Sequence, residues 1–134
     1  MPYLIDTDLV IDHLANITEA NQLLDKLAPE GIAMSIITYM EAYQGVIRSI
    51  NVKEARAKFQ TFRRSVPVLP FSLTVAKRCS LLREQLKKEQ KRVKSRALDL
   101  MNAAIALEHN LTLVTRNVED YQDIPGLHLY PLAA

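Results

Sequence analysis

The sequence predicts an α/β fold with a central, mainly parallel sheet and helices on both faces, and three observations carry that prediction. Short apolar, β-prone runs recur at Tyr3–Ile5, Ile32–Ile37 and Leu111–Val114. Each lacks the polar alternation of a half-exposed strand, as expected for strands buried on both faces of a parallel sheet. Segments with helical apolar spacing separate them, and strands joined through helices make right-handed crossovers.

The first run, Tyr3-Leu4-Ile5, leads straight into Asp6-Thr7-Asp8 and a helix carrying Leu9, Val10 and Leu14. Asp6 or Asp8 suits the helix cap, since a short carboxylate accepts the unpaired N–H groups of a first turn. One cap needs one Asp, and the carboxyl end of a parallel strand is also where open α/β sheets bind ligands. A second helix is expected from Thr18 to Ala28, stopped by Pro29 and Gly31. The strand Ile32–Ile37 is followed by Thr38-Tyr39-Met40-Glu41, which reads as a helix start with Thr38 and Glu41 as a capping box. That helix contains Gly45, which weakens it unless close packing requires a glycine. Val52 to Ser65 is a basic helix with Ala55, Phe59 and Phe62 on its apolar stripe. Val66 to Phe71, with Pro67 and Pro70, is at most a short edge strand. Ser72 caps a long helix with Val75, Cys79, Leu82 and Leu86 at helical spacing. The stripe ends there, and Lys87 to Arg96 reads as a solvated, mobile connection. Leu98 to Glu108 is a compact helix, Pro125-Gly126 a turn, and Leu127 to Leu132 a short last strand.

At 134 residues the chain is expected to form a single domain, 1–134. No apolar run approaches the roughly 20 residues that span a bilayer, and no secretory pattern opens the chain. The lone Cys79 excludes an internal disulfide, and three scattered histidines offer no zinc cluster. These features point to a cytoplasmic protein whose metal, if any, takes oxygen ligands. Net charge is +2, unevenly spread. Arg48 to Arg96 holds fifteen of the seventeen basic residues against three acids, and the remainder holds two bases against twelve acids. A basic middle beside an acidic remainder suits a polyanion held next to a cation site. Solvated basic helices with no such partner produce the same pattern.

Four acids fall at comparable places: Asp6 after the first strand, Glu41 past the second, Asp99 opening a helix, and Asp120 past the third. Each also has a local explanation as a cap or a helix-dipole partner. In a parallel sheet all four lie at one edge, and two carboxylates about 4 Å apart repel by about 4 kcal/mol at an effective dielectric of 20. A divalent cation such as Mg²⁺ or Mn²⁺ relieves that repulsion and keeps waters that can serve as nucleophiles.

The residues resemble the PIN-domain family, and within it the VapC-type toxin ribonucleases. The resemblance rests on Leu4-Ile5-Asp6-Thr7-Asp8 with Ile11-Asp12, and on Ser35-Ile36-Ile37-Thr38 leading to Glu41 and Gly45. It continues in Asp99-Leu100-Met101-Asn102-Ala103-Ala104-Ile105-Ala106, in Leu113-Val114-Thr115-Arg116-Asn117 with Asp120-Tyr121, and in Pro125-Gly126-Leu127 before Pro131. It implies a PIN-like three-layer α/β/α sandwich and a metal-dependent endoribonuclease. The enzyme would be dimeric, and a cognate antitoxin would hold it inactive by laying its C-terminal segment across the acidic groove. By position, Asp6, Glu41, Asp99 and Asp120 match the family's catalytic, metal-binding acids. Asn117 stands where many PIN domains have a further Asp, and the resemblance leaves one or two ions open. Thr7, Thr115 and Asn117 would orient ligands or water. Lys87, Lys88, Lys91, Arg92, Lys94 and Arg96 would grip the RNA backbone without reading sequence. Tyr121 stands where the family usually has Phe and Asn102 where it has an aliphatic residue, and neither is expected to touch the chemistry. The alternative reading is a PIN-like module that binds RNA or protein without cleaving. Asp6-Thr7-Asp8-Leu9-Val10 also fits the opening of a haloacid-dehalogenase-type phosphatase, but no Gly-Asp pair follows to complete that chemistry.

Overall fold

The computed structural model describes residues 2–132. Four strands, β1 (Tyr3–Ile5), β2 (Ile32–Ser35), β3 (Val68–Leu69) and β4 (Thr112–Val114), form one sheet in the order β3-β2-β1-β4. All pairings are parallel, with Leu4 opposite Ala33 and Leu113, and Met34 opposite Val68. Helices α1 (Thr7–Leu14) and α2 (Thr18–Leu27) link β1 to β2. Helices α3 (Ile36–Ile47) and α4 (Val52–Ser65) link β2 to β3, and α5 (Leu73–Lys88) and α6 (Ala97–Glu108) link β3 to β4.

Strand periodicity divides the core into two layers. Leu4, Ala33 and Leu113 pack on one face against α5 and α6, through Val75, Cys79, Leu86, Leu100, Ala103 and Ala104. Their neighbours Ile5, Ile32, Met34 and Val114 point the other way, into Leu9, Val10, Leu24, Leu27 and Phe59 of α1, α2 and α4. This is the three-layer α/β/α sandwich, and it splits the basic middle of the sequence. The bases of α4 lie on one outer layer and those of α5 on the other, so they do not make one patch.

Most elements match the sequence reading, with four differences. The β2 strand stops at Ser35, two residues early, because the Ser35 hydroxyl accepts the Thr38 N–H at 3.1 Å and caps α3. Thr38 is therefore inside the helix, and Glu41 lies too far along to complete a capping box. The last strand reduces to a single parallel bridge, Leu113 to Leu129, made by Leu113 N–H on His128 O at 2.8 Å and Tyr130 N–H on Leu113 O at 2.9 Å. Residues 89–96 form a tied connection: Lys91 N–H returns to Leu86 O at 2.9 Å, Lys94–Arg96 makes a 3₁₀ turn, and Arg96 is buried. Finally, no close packing requires Gly45. A Cβ placed on it meets nothing within 4 Å, because it opens onto a trough of about 220 Å³ lined by Ile11, Leu14, Ala42 and Val46.

Gly45→Ala should therefore raise stability by about 0.5–1 kcal/mol through helix propensity alone, read as a higher denaturation midpoint. A lower midpoint would mean that the trough is closed in solution.

Candidate functional site

β1 and β4 are neighbours whose connections leave in different directions, so the crevice beyond their carboxyl ends is the sheet's switch point. Asp6 sits at the end of β1. Its N–H extends the ladder to Val114 O at 3.0 Å, while its side chain caps α1, with Oδ1 accepting Thr7 N–H at 2.8 Å. Its other oxygen, Oδ2, accepts the Thr115 hydroxyl at 2.6 Å from the end of β4. Thr115 is itself oriented, its Oγ1 accepting Asn117 N–H at 2.9 Å. Asp6 is 9% exposed and Thr115 1%, so the carboxyl group is fixed in a nearly dry place.

The other three acids come from separate elements, with Asp99 near enough to act on Asp6. Asp99, in the first turn of α6, accepts the Tyr121 hydroxyl on Oδ1 at 3.1 Å. Glu41, in the middle of α3, accepts the Thr7 hydroxyl on Oε1 at 2.6 Å. Asp120 ends the 3₁₀ turn Val118–Asp120, held by Asn117 Nδ2 at 2.6 Å and by the Arg92 guanidinium at 2.7 Å.

Their electrostatics separate them into two kinds. Burial pushes the Asp6 carboxyl above its ordinary value, opposed by its Thr115 and Thr7 bonds and reinforced by Asp99 and Asp8. Burial also raises Asp99, with the charges of Asp120 and Glu41 adding to it. The bond from Arg92 holds Asp120 below the usual carboxylate range. No basic side chain in the described residues bonds to Asp6 or Asp99, and Arg92 offsets the Asp99 charge only from a distance, more weakly than burial raises it.

The donor set suits a hard divalent cation: carboxylate oxygens, two of them destabilised as anions by burial and by one another. As the side chains stand, no three His, Cys, Asp or Glu among the described residues are close enough together to enclose an ion. The four acids share an edge, and Arg92 occupies the outermost of them.

The basic residues fall out differently from the sequence reading. Lys87, Lys88, Lys91 and Lys94 are exposed. Arg92 is committed to Asp120, and Arg96 is only 3% exposed. Arg96 bonds Asp123 through both terminal nitrogens at 2.5 and 2.9 Å, with Nε on Arg92 O and Nη1 on Asp120 O. It anchors the connection to the Asn117–Asp123 segment and presents no free guanidinium to a nucleic acid. The sequence reading also set aside Tyr121, which the structure brings into direct contact with Asp99, with Asn102 behind it at 3.3 Å. Side chains 19 and 22 residues apart leave no trace in local spacing; two polar groups on otherwise apolar positions were the available signal.

Comparison with known proteins shows the family. A profile of the PIN domain matches residues 3–126, and the chain belongs to the PIN-domain family. Its relatives there carry the name Ribonuclease VapC. Ribonuclease VapC2 of Rickettsia felis is 30% identical over 131 residues, 96% of each chain. Ribonuclease VapC1 of Haemophilus influenzae is 28% identical over 129 residues, 95% of each chain. Among solved structures, VapBC2 from Rickettsia felis bound to a promoter DNA fragment superimposes with a TM-score of 0.87 at 26% identity. That match covers 99% of this chain and 100% of the other.

A raised carboxyl pKa means that the folded protein binds this proton more tightly than the unfolded chain. Stability is then lost as pH climbs from the ordinary value of 3.8 through the raised folded value, and the loss is complete above it. Asp99→Asn removes this penalty. In EDTA at pH 7 the variant should unfold at a higher temperature than wild type, and the gap should close below about pH 4, where both states are protonated. A gap independent of pH would mean that the Asp99 charge is not strained.

Proposed function

We propose that the protein is a Mg²⁺- or Mn²⁺-dependent endoribonuclease, the toxin of a toxin–antitoxin pair, acting from Asp6, Glu41, Asp99 and Asp120. The observation that carries this reading is the pair of carboxyl groups at the switch point of a PIN-domain sheet, buried Asp6 and half-buried Asp99, both raised by burial and neither bonded to a base. Evolutionary decay to a non-cleaving module gives no reason to keep a costly pair of anions, whereas a cation makes them favourable.

Asp6 and Asp99 would hold the ion, with Glu41 and Asp120 reaching it from α3 and from the 3₁₀ turn. A bound ion would supply Lewis acidity to a phosphodiester oxygen and lower the pKa of a coordinated water for in-line attack on phosphorus. The chain's own part is orientation. Thr115 and the α1 cap fix Asp6, Thr7 fixes Oε1 of Glu41, and Asn117 steadies both Thr115 and Asp120. Lys87, Lys88, Lys91 and Lys94, close in sequence to Arg92, would meet the RNA backbone, Lys91 by exchanging its ion pair with Glu89, and binding through them would weaken with salt.

The similarity to VapBC complexes supports an antitoxin as partner. Exposed Leu73 and Leu81 on α5 offer apolar surface to a second copy. No helix among the described residues is long and apolar enough to cross a membrane, which fits a cytoplasmic location.

Cleavage of single-stranded RNA by purified protein, with Mn²⁺ or Mg²⁺ against EDTA, tests the reading. Wild type should cleave only with metal, and Asp6→Asn and Asp99→Asn should each lower kcat by about 100-fold or more, as loss of a group stabilising the transition state does. RNA affinity without cleavage in any metal would establish the binding module.

A further inference from the structure

Buried Asn102 and Tyr121 and half-buried Asp99 form a polar chain along an otherwise apolar layer. Asp99 and Asn102 are three residues apart on α6 and so share a face. The Tyr121 ring is fully buried, and its hydroxyl meets both, receiving Asn102 Nδ2 at 3.3 Å and donating to Asp99 Oδ1 at 3.1 Å. Asn102 Oδ1 has no hydrogen-bond partner.

We infer that Tyr121, held by Asn102, is a positioning residue for Asp99, fixing the carboxylate through one oxygen so that the other is left for the cation. This rests on the metal-dependent reading above. Packing alone does not explain the arrangement, because Phe fills the same space as Tyr and an aliphatic residue the same space as Asn. Both polar groups are buried, and one oxygen goes unsatisfied, which core packing disfavours. The arrangement has a directional logic. An amide NH₂ can only donate, so Asn102 fills a lone pair of the phenolic oxygen and leaves the phenolic proton for Asp99. Asp99 Oδ2 receives no donor among the described residues. Tyr121 also follows Asp120 directly, so one side chain ties the α6 acid to the turn carrying the last acid.

The test is Mn²⁺ binding by isothermal titration calorimetry on wild type, Tyr121→Phe, Asn102→Leu and the double variant, with thermal melts in EDTA to confirm folding. Loss of an outer partner of a metal ligand weakens metal binding by about 10- to 100-fold, and Tyr121→Phe should do so. RNA cleavage should fall in kcat with KM little changed. Asn102→Leu should melt at a higher temperature, having lost its unsatisfied oxygen, yet bind Mn²⁺ several-fold more weakly. The double variant should be no weaker than Tyr121→Phe, because Asn102 acts through the hydroxyl. A folded Tyr121→Phe that binds Mn²⁺ like wild type overturns the inference, as do additive losses in the double variant. Were Tyr121→Phe to unfold, unchanged Mn²⁺ affinity in Asn102→Leu would overturn it alone. A flat wild-type isotherm identifies failure of the metal reading itself, and the inference falls with it.

Discussion

One carboxylate joins the two halves of this sheet edge. Asp6 continues the β1 ladder through its N–H, starts α1 through one oxygen and receives Thr115 from β4 through the other. These bonds leave the side chain little freedom, and burial makes its charge unfavourable even so. Three local demands (ladder, cap, inter-strand bond) are met by a group whose ionised form still lacks a countercharge. That residual deficit distinguishes a binding edge from a merely capped helix. On the function proposed above, relieving it by substitution should stabilise the fold and remove the chemistry, the expected trade at a functional site.

The basic residues are arranged around that deficit without cancelling it. Arg92 neutralises Asp120, and Arg96 ties the 89–96 connection to Asp123 and to the backbone at Asp120. The outer acid is thereby bonded to a base, while Asp6 and Asp99 are not. Positive charge lies near the edge, where a polyanion would meet it, but does not enter the place between Asp6 and Asp99. The connection is thus a strap on the site's rim, built from an arginine that looks solvent-exposed when only its flanking lysines are considered.

The sheet and most helices were legible because their signals are local: apolar runs, helical spacing, and prolines and caps at the ends. So was the edge carrying Asp6, Glu41, Asp99 and Asp120, since strand-end positions can be read from element order. The Ser35 cap was missed because Ile36-Ile37 continues the apolar run that begins at Ile32, and only the hydroxyl geometry marks the helix start. The last strand was overestimated for a related reason: its apolar pattern runs over six residues, while its pairing is the single bridge at Leu129. Arg96 and Tyr121 were misjudged because their partners lie 19 to 27 residues away and are brought close only by α6 packing on β4. Charge patterning could not reveal that one arginine in a basic run is buried.

Burial makes Asp6 and Asp99 costly anions, and on the function proposed above a cation would relieve that cost. Carboxyl ¹³C chemical shifts followed through a pH titration, in EDTA and in Mg²⁺, read this directly. The account expects both groups to titrate above the ordinary carboxylate range in EDTA and to fall when Mg²⁺ is added, with Asp120 already low in EDTA. Ordinary titration of Asp6 and Asp99, unmoved by Mg²⁺ at millimolar concentration, would contradict it.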